Sequence, residues 1–326
     1  MTVSQVAPAD GRGDAPGGQE AQASFRAELL SAGLLVGTGV DGLYGRSEEL
    51  ESIVGGIDAL VTRLGDDLAS ASGGGGPHES LRFPPVLARW VFDRTDYMRS
   101  FPDLMGSVHT FRGSDRDHAR LLALHDEGGD WPAVLTPAEV VVSSASCHPL
   151  YPMCTGRLAE GGRRFEVNGW CFRCEPSVDP TRQQAFRMQE LVYVGEPDAA
   201  QRHRDAGLEL GLEMLAGLGL PMSAVAANDP FFGRLGTMLA ASQLDEALKI
   251  EGVTPVCSAE RPTAIMSGNC HRDHFGKPFG ISTAGGAVAH SACVAFGVDR
   301  VALALVHRHG LHSARWPAPV RAALWP

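Results

Sequence analysis

The stretch from Cys171 to Glu190, CFRCEPSVDPTRQQAFRMQE, decides the fold that this sequence predicts. It joins the ends of two segments, 163–175 and 185–196, that both have the pattern of β-strands. The residues between them, PSVDPTRQQ, contain two prolines and are typical of a loop. We therefore expect an antiparallel hairpin, in which Phe186 and Glu190 share one face of the second strand because side chains alternate with period two.

The hairpin opens with a Cys-x-x-Cys pair, Cys171 and Cys174, a spacing that is common in zinc sites and redox pairs. In an extended strand these two side chains point to opposite faces, so they cannot bind one metal ion. A zinc site with this spacing needs a tight turn, and the intervening Phe-Arg has none of the usual turn residues. We interpret both cysteines as small apolar residues of the strand.

Arg173 and Glu175 are predicted to lie on the same face of the first strand. Two interpretations of this charged face stay open. It is either a solvated outer face, which is common for antiparallel strands, or the floor of a nucleotide site. In such a site an arginine binds phosphate, a carboxylate accepts from an exocyclic amine, and an aromatic ring stacks on the base.

The order of predicted elements around the hairpin indicates an α+β domain with an antiparallel β-sheet flanked by helices. The segment 198–218 has helical spacing, and 290–310 passes from a buried strand-like run into an apolar helix that stops at Gly310. There is no repeating βαβ rhythm and no Gly-rich phosphate loop of either common type. We expect residues 1–25 to be a disordered leader, 26–326 to be a single domain, and 69–80 to be a flexible loop.

Composition narrows the class of protein. The chain has 326 residues, of which 44% are hydrophobic, and it has no apolar run long enough to span a membrane. Its seven cysteines and the lack of a secretory signal predict reduced thiols and a cytoplasmic location. A net charge of −10 makes a nucleic acid a poor default partner.

Two motifs resemble those of class II aminoacyl-tRNA synthetases. Phe172-Arg173-Cys174-Glu175, followed by a loop with Arg182 and then by Phe186, resembles motif 2, and GVDRVALAL (297–305) resembles motif 3. The resemblance implies an ATP site with catalytic arginines at Arg173, on the α-phosphate, and Arg300, on the γ-phosphate. It further implies that Arg182 reaches the β- and γ-phosphates, that Glu175 accepts from the adenine amino group, and that Phe186 stacks on the ring.

Within that class the chain resembles the amino acid:[carrier protein] ligases, relatives of the methanogenic-type seryl-tRNA synthetases, from about Leu43 to Gly310. Further phrases similar to the family are SFPDLMGS, CHPLYP, NDPFFGR and HRDHFG. The resemblance implies one active-site Zn²⁺ with Cys147, Glu190 and Cys293 as ligands. Two thiolates and a carboxylate leave an open position, which is typical of a working zinc site and could take the α-amino group of a substrate.

The same resemblance implies weaker assignments at other positions. Asp229 would lie near the amine or side-chain pocket, although an Asn-Asp-Pro turn explains it as well. Lys249 would lie near ATP, although a solvated strand lysine is an alternative. His271 and His274, three residues apart, are interpreted as loop architecture around the site rather than as metal ligands.

The function that the resemblance implies is the activation of glycine or alanine with Mg²⁺-ATP and transfer to the phosphopantetheine thiol of an acidic carrier protein. The resemblance also implies a homodimer, as for most class II catalytic domains. We expect no tRNA binding, because few residues precede the catalytic core and the net charge is acidic. We expect no membrane partner, because no apolar run is long enough to span a bilayer. Arg202, His203 and Arg204 are a candidate basic patch for the carrier, with a solvated helix face as the alternative. The alternatives are a seryl-type tRNA synthetase and a catalytically silent paralogue that acts as a binding protein.

Overall fold

The computed structural model describes residues 16–73, 78–229, 243 and 246–326. Its α-helices are α1 (Pro16–Ser31), α2 (Glu48–Ala71), α3 (Arg89–Asp93), α4 (Tyr97–Ser100), α5 (Asp115–Asp126), α6 (Pro197–Gly217), α7 (Val298–His309) and α8 (Ala318–Leu324). Short 3₁₀ helices cover Trp131–Val134, His148–Cys154 and Ser313–Arg315. None of the helices in these ranges combines the length and the apolar character needed to cross a membrane.

The strands lie in one large sheet and three small ones. They are β1 (Leu35–Gly37), β2 (Tyr44–Arg46), β3 (Glu79–Arg82), β4 (Val86–Ala88), β5 (Ser107–Thr110), β6 (Thr136–Val142), β7 (Gly156–Arg157), β8 (Arg163–Phe172), β9 (Ala185–Gly195), β10 (Ser223–Ala226), β11 (Lys249–Thr254), β12 (Thr263–Arg272), β13 (Ile281–Ser282) and β14 (His290–Gly297). The large sheet has the order β10-β11-β12-β14-β9-β8-β3. Its pairs are antiparallel except at the edge, where β3 runs parallel to β8.

The predicted hairpin is confirmed. Strands β8 and β9 pair without interruption from Arg163 opposite Val194 to Phe172 opposite Ala185. The first strand is shorter than expected, because it ends at Phe172 rather than at Glu175. Glu175 N–H bonds back to the Arg173 carbonyl at 2.7 Å, and Pro176, which lacks an N–H, cannot continue the ladder.

The large sheet separates two apolar cores. On one face α2, α6 and α7 pack against strand residues that include Leu191, Val294 and Phe296. The opposite face carries Val192, Val194 and the apolar side chains around the 3₁₀ helix His148–Cys154. Neighbouring residues of β9 therefore enter different cores, as strand alternation requires.

Two boundaries differ from the sequence-based expectation. Helix α1 starts at Pro16, so the described part of the predicted leader is helical; Phe25 and Leu29 bury their side chains in the core and hold it there. Residues 1–15 lie outside the described part. The predicted loop at 69–80 is also shorter, because α2 continues to Ala71 and β3 begins at Glu79.

The transition from β14 into α7 follows the sequence-based prediction. The strand ends at Gly297 and the helix begins at the next residue. Helix α7 ends at His309 and is capped by Gly310, whose φ of +96° is in the region that favours glycine. Val301, Leu303 and Leu305 are buried in the core below the sheet. Arg300 is thus placed in the first turn of a firmly packed helix.

Candidate active site

Sheet register brings distant residues to one face. Ala295 of β14 lies opposite Glu190 of β9, and Cys293 lies opposite Val192. Directly paired residues of antiparallel strands project to the same side, so Glu190 and Cys293 share a face. Phe186 lies four residues before Glu190 in β9, so it is on that face as well, and so is Cys171, which pairs with Phe186.

Cys147, Glu190 and Cys293 lie together in the interior. Glu190 Oε1 accepts hydrogen bonds from the Cys147 N–H at 3.0 Å and from Ser146 Oγ at 2.7 Å. The three side chains are 3%, 2% and 2% exposed, in chain order. The sequence predicted Cys147 at the end of a strand, and this is wrong. Strand β6 ends at Val142, and Cys147 is instead the N-cap residue of the 3₁₀ helix His148–Cys154.

This cluster consists of three acidic groups in a buried setting. Burial, and next the negative charge of Glu190, raise the pKa of the Cys293 thiol well above its usual value. Burial and the charges of Glu190 and Cys293 act in the same direction on the pKa of Cys147. A divalent cation would remove this repulsion, and two thiolates with a carboxylate are a donor set that zinc accepts. Within the described ranges, no three His, Cys, Asp or Glu side chains form a metal-binding group as they stand.

His271, which the sequence interpretation placed in a loop around the site, lies directly beside this cluster. It lies in β12 rather than in a loop, and its Nε2 is 3.6 Å from Cys293 Sγ. Asn269 donates to the same sulfur from 3.4 Å. Burial, with a contribution from His274, lowers the pKa of His271 to about 3, so the ring is neutral at pH 7. His274 points elsewhere, with Nε2 3.2 Å from the Thr95 carbonyl oxygen.

Three arginines of the two motifs converge above the sheet. Arg173 donates from Nε to the Ser144 carbonyl at 3.2 Å. Arg300 donates from Nε to the Thr181 carbonyl at 2.8 Å and from Nη1 to the Ala264 carbonyl at 3.2 Å. Burial, and then the charges of Arg182 and Arg173, lower the pKa of Arg300. Concentrated positive charge of this kind is what a polyphosphate would neutralise.

The remaining nucleotide residues of the sequence-based prediction lie around these arginines. The Arg173 guanidinium carbon is 5.4 Å from the centroid of the Phe186 ring. Arg182 Nη1 and Glu175 Oε2 form an ion pair at 3.3 Å. Arg173 is held charged by its surroundings: burial opposes the charge, but Tyr97, Cys171 and Glu175 raise its pKa.

Asp229 and Lys249 form a partly buried ion pair next to this region. Lys249 Nζ is 2.6 Å from Asp229 Oδ1 and 2.9 Å from Glu251 Oε1, and its side chain is 13% exposed, so it is not a solvated lysine. Burial alone would raise the pKa of Asp229, but Lys249 and Gln243 outweigh burial and lower it. Gln243 also accepts from the Asp229 N–H at 2.7 Å. Asp229 is therefore a fixed carboxylate.

A further cluster of ion pairs, which the sequence did not indicate, links β2, β9 and the start of α7. Asp299 Oδ1 accepts from Arg46 Nε at 3.0 Å and from Arg187 Nη2 at 2.8 Å. Its other oxygen accepts from the Arg187 N–H at 2.5 Å. Arg46 and Asp299 are 253 residues apart, so no local pattern could pair them.

Comparison with known proteins identifies the family. No family model matches the chain. It is 43% identical over 288 residues to amino acid–[acyl-carrier-protein] ligase 1 of Bradyrhizobium diazoefficiens, an alignment that covers 88% of this chain and 86% of the relative. The chain belongs to the amino acid–[acyl-carrier-protein] ligase family. It is accordingly a ligase.

Solved structures show which fold this ligase shares. The seryl-tRNA synthetase of M. kandleri, in a complex with A. aeolicus tRNASec, superposes with a TM-score of 0.73 and 21% identity, over 99% of this chain and 64% of that one. The seryl-tRNA synthetase from Pyrococcus horikoshii, complexed with ATP, gives 0.62 at 13% identity, over 92% and 62%. The class II synthetase fold predicted from the two motifs is confirmed.

The prediction of an exposed basic patch on α6, at which this ligase would dock its carrier protein, is wrong. Of its three residues on α6, His203 is fully buried and Arg204 is 6% exposed. His203 donates from Nε2 to the Leu191 carbonyl at 3.0 Å, and Arg204 donates to the Ala247 carbonyl at 2.9 Å. Both point into the sheet, which leaves Arg202 as the exposed member.

Proposed function

We propose that the protein activates glycine or alanine with Mg²⁺-ATP and transfers it to the phosphopantetheine thiol of an acidic carrier protein. The observation that carries this proposal is the meeting, at one face of the sheet, of an acidic thiol cluster with a group of arginines. Cys171 lies close enough to both groups to feel their charges. Burial raises the pKa of its thiol, Arg173 lowers this pKa, and Glu190 raises it. The amino group and the phosphates of the two substrates would then bind side by side.

The arginine group supports the ATP half of the proposal. Adenylyl transfer needs charge neutralisation and in-line positioning more than covalent help from the protein. Arg173 would bind the α-phosphate, and Arg182 and Arg300 the outer phosphates. Glu175 would accept from the adenine amino group after its ion pair with Arg182 opens, and Phe186 would stack on the ring.

The thiol cluster supports the amino acid half. Cys147, Glu190 and Cys293 would hold a zinc ion, which when bound supplies a Lewis-acid position for the neutral α-amino group. Asp229, kept ionised by Lys249, would border the same pocket. Because two carboxylates already engage Lys249, we assign it to the orientation of Asp229 rather than to direct phosphate binding.

The chemistry then proceeds in two balanced steps. A carboxylate oxygen of the amino acid attacks the α-phosphorus of ATP, and pyrophosphate leaves, so that an aminoacyl-adenylate forms. The deprotonated phosphopantetheine thiol next attacks the carbonyl carbon, and AMP leaves as the thioester forms. Arg173 would stabilise the charge on the α-phosphate in both steps.

Pyrophosphate exchange tests the first step. We expect ATP–pyrophosphate exchange with glycine or alanine and not with the other common amino acids, and we expect a zinc chelator to abolish it. Exchange with serine alone would favour the seryl-type alternative. No exchange with any amino acid would favour a silent paralogue that acts as a binding protein.

Transfer of a labelled amino acid tests the second step. We expect label on a phosphopantetheinylated carrier protein, none on the same carrier without the arm, and none on tRNA. Label on tRNA would contradict the proposed acceptor. We also infer a cytoplasmic homodimer, and light scattering coupled to size exclusion measures the dimer directly.

A further inference from the structure

Arg46 lies outside both sequence motifs and yet contacts each of them. It ends strand β2, and its side chain is 7% exposed. Its guanidinium carbon is 4.5 Å from the centroid of the Trp170 ring, which stands on the first strand of the hairpin. A buried guanidinium with several partners has a defined position, because its planar group offers donors in fixed directions.

One side of Arg46 holds the loop that carries Arg182. Its Nη2 donates to Gln183 Oε1 at 2.7 Å and to the Ala185 carbonyl at 3.2 Å. Gln183 in turn donates from Nε2 to the Pro180 carbonyl at 3.1 Å. Arg46 therefore fixes the end of the loop through a side chain and through the backbone.

The other side of Arg46 holds the start of α7. Its Nε donates to Asp299 Oδ1 at 3.0 Å, and Asp299 is the residue before Arg300. Asp299 is 3% exposed and also accepts from the Arg187 N–H. The first turn of α7 is thus attached to β2 and to β9 at the same point.

The turn before β2 makes independent contacts with the same loop. Gln184 N–H donates to the Gly42 carbonyl at 2.8 Å, and Gln184 Nε2 donates to the Asp41 carbonyl at 2.7 Å. Gly42 has φ of +77°, and a Cβ at this position would lie 3.1 Å from Gln184 Cγ. The hairpin formed by β1 and β2 is therefore fitted closely to the loop.

We propose that Arg46 is a positioning residue for ATP, which sets the distance between Arg182 and Arg300 by holding the loop and α7 to one guanidinium group. This inference rests on the proposed function, because it assigns these two arginines to the outer phosphates. Arg46 itself does not touch the substrate. Loss of its side chain leaves the Arg300–Thr181 hydrogen bond as a weaker link between the helix and the loop. The spacing of the two arginines then varies more, and they bind one polyphosphate less well.

Kinetics of pyrophosphate exchange test the role in ATP binding. We expect Arg46→Gln to raise KM for ATP about tenfold, the scale of one lost charge-assisted hydrogen bond, and to leave KM for the amino acid unchanged. Arg63→Gln is the matched control, since Arg63 donates at 2.9 Å to the Ala323 carbonyl, away from both motifs. An unchanged KM for ATP in Arg46→Gln, or an equal rise for both substrates, overturns the proposal.

Hydrogen exchange of the ligand-free full chain tests the same inference without activity. Arg46→Gln should speed amide exchange in peptides that cover 180–187 and 298–303, whereas Arg63→Gln should not. If Arg46→Gln does not fold, Gln183→Ala removes the side-chain part of the loop contact, keeps the bonds of Arg46 to Ala185 and Asp299, and should speed exchange in 180–187 only. Unchanged protection in these variants contradicts the proposal, and a wild type without pyrophosphate exchange contradicts the proposed function instead.

Discussion

Glu190 Oε1 accepts a 3.0 Å hydrogen bond from the backbone N–H of Cys147, a residue 43 positions earlier in the chain. The bond orients the carboxylate within the interior, where its negative charge raises the pKa of the Cys293 thiol after the larger effect of burial. Ser146 Oγ donates to the same carboxylate oxygen at 2.7 Å. This carboxylate of β9 thus accepts two hydrogen bonds from the end of the loop that follows β6.

This cluster leads to a prediction about metal content. Cys293→Ser should remove bound zinc from the purified protein, because a neutral hydroxyl is a far weaker zinc ligand than a thiolate. Elemental analysis by mass spectrometry measures the zinc in each variant. The control is Cys154→Ser, a buried free thiol near Arg163. Stoichiometric zinc in Cys293→Ser, or its loss in the control, would contradict the proposed ligand set.

The arginine group leads to a prediction about rate. Arg173→Gln should lower kcat/KM for pyrophosphate exchange by about 10²- to 10³-fold, the usual effect of removing one donor to a developing charge. The Phe186 ring and the Ser144 carbonyl would remain in place around the shorter side chain. Arg63→Gln should match the wild type in the same assay. A loss below about fivefold in Arg173→Gln would place the α-phosphate elsewhere.

Buried histidines lead to a prediction about stability and pH. Burial lowers the pKa of His203 to about 3 and that of His78 to about 4, against an ordinary value of 6.5. Arg164 adds to the effect on both, and Asp66 opposes it at His78. The unfolded chain therefore binds more protons than the folded one below pH 6.5. Stability should fall as pH drops from 6.5 towards 4, by about 1.4 kcal/mol per pH unit for each fully shifted histidine.

Urea unfolding at pH 7, 6 and 5 measures this dependence. His203→Gln keeps an N–H donor for the Leu191 carbonyl but cannot titrate. Its stability should decline less steeply between pH 6.5 and 5 than that of the wild type. Equal slopes for the two proteins would show that His203 is protonated in the folded state as readily as in the unfolded chain.

Helix α6 leads to a prediction that separates docking from folding. Arg204→Glu should lower the free energy of unfolding by about 2 kcal/mol or more, because it buries an unpaired carboxylate beside Asp205. Arg202→Glu, on the exposed side, should leave stability unchanged. If Arg202→Glu also leaves amino acid transfer to the carrier unchanged, α6 is not the docking surface. Thermal unfolding and a transfer assay on the same samples distinguish these outcomes.

Local patterns predicted the hairpin and the helix after β14 well. Strand alternation placed Phe186 and Glu190 on one face, and Gly310 marked the end of α7. They failed at segment ends, where β8 stops at Phe172 and helix α1 includes the last ten residues of the predicted leader, 16–25. Ends depend on single hydrogen bonds and on burial against distant residues, such as that of Phe25, which a local window does not contain.

For the site, similarity to known motifs supplied more than spacing did. Cys147, Glu190 and Cys293 have no regular spacing, and a resemblance was needed to select two of the seven cysteines and this glutamate. His271 was predicted to lie in a loop. Its position beside Cys293 could not be predicted locally, because it depends on the pairing of β12 with β14. Arg204 was predicted to be exposed, but it is buried. Which face of α6 is buried depends on how the helix packs on the sheet, and a local pattern does not contain this information.

The sequence by itself determined the period-two hairpin, the apolar helix that follows β14 and the residue types available for phosphate and metal. These properties are local, since strand alternation, turn residues and helix ends act over a few neighbours. Only the tertiary structure decided that Arg46 meets Asp299 and that Cys147 caps a helix against Glu190. Such contacts join residues tens to hundreds of positions apart, and they form because the sheet and its helices must bury their apolar faces together.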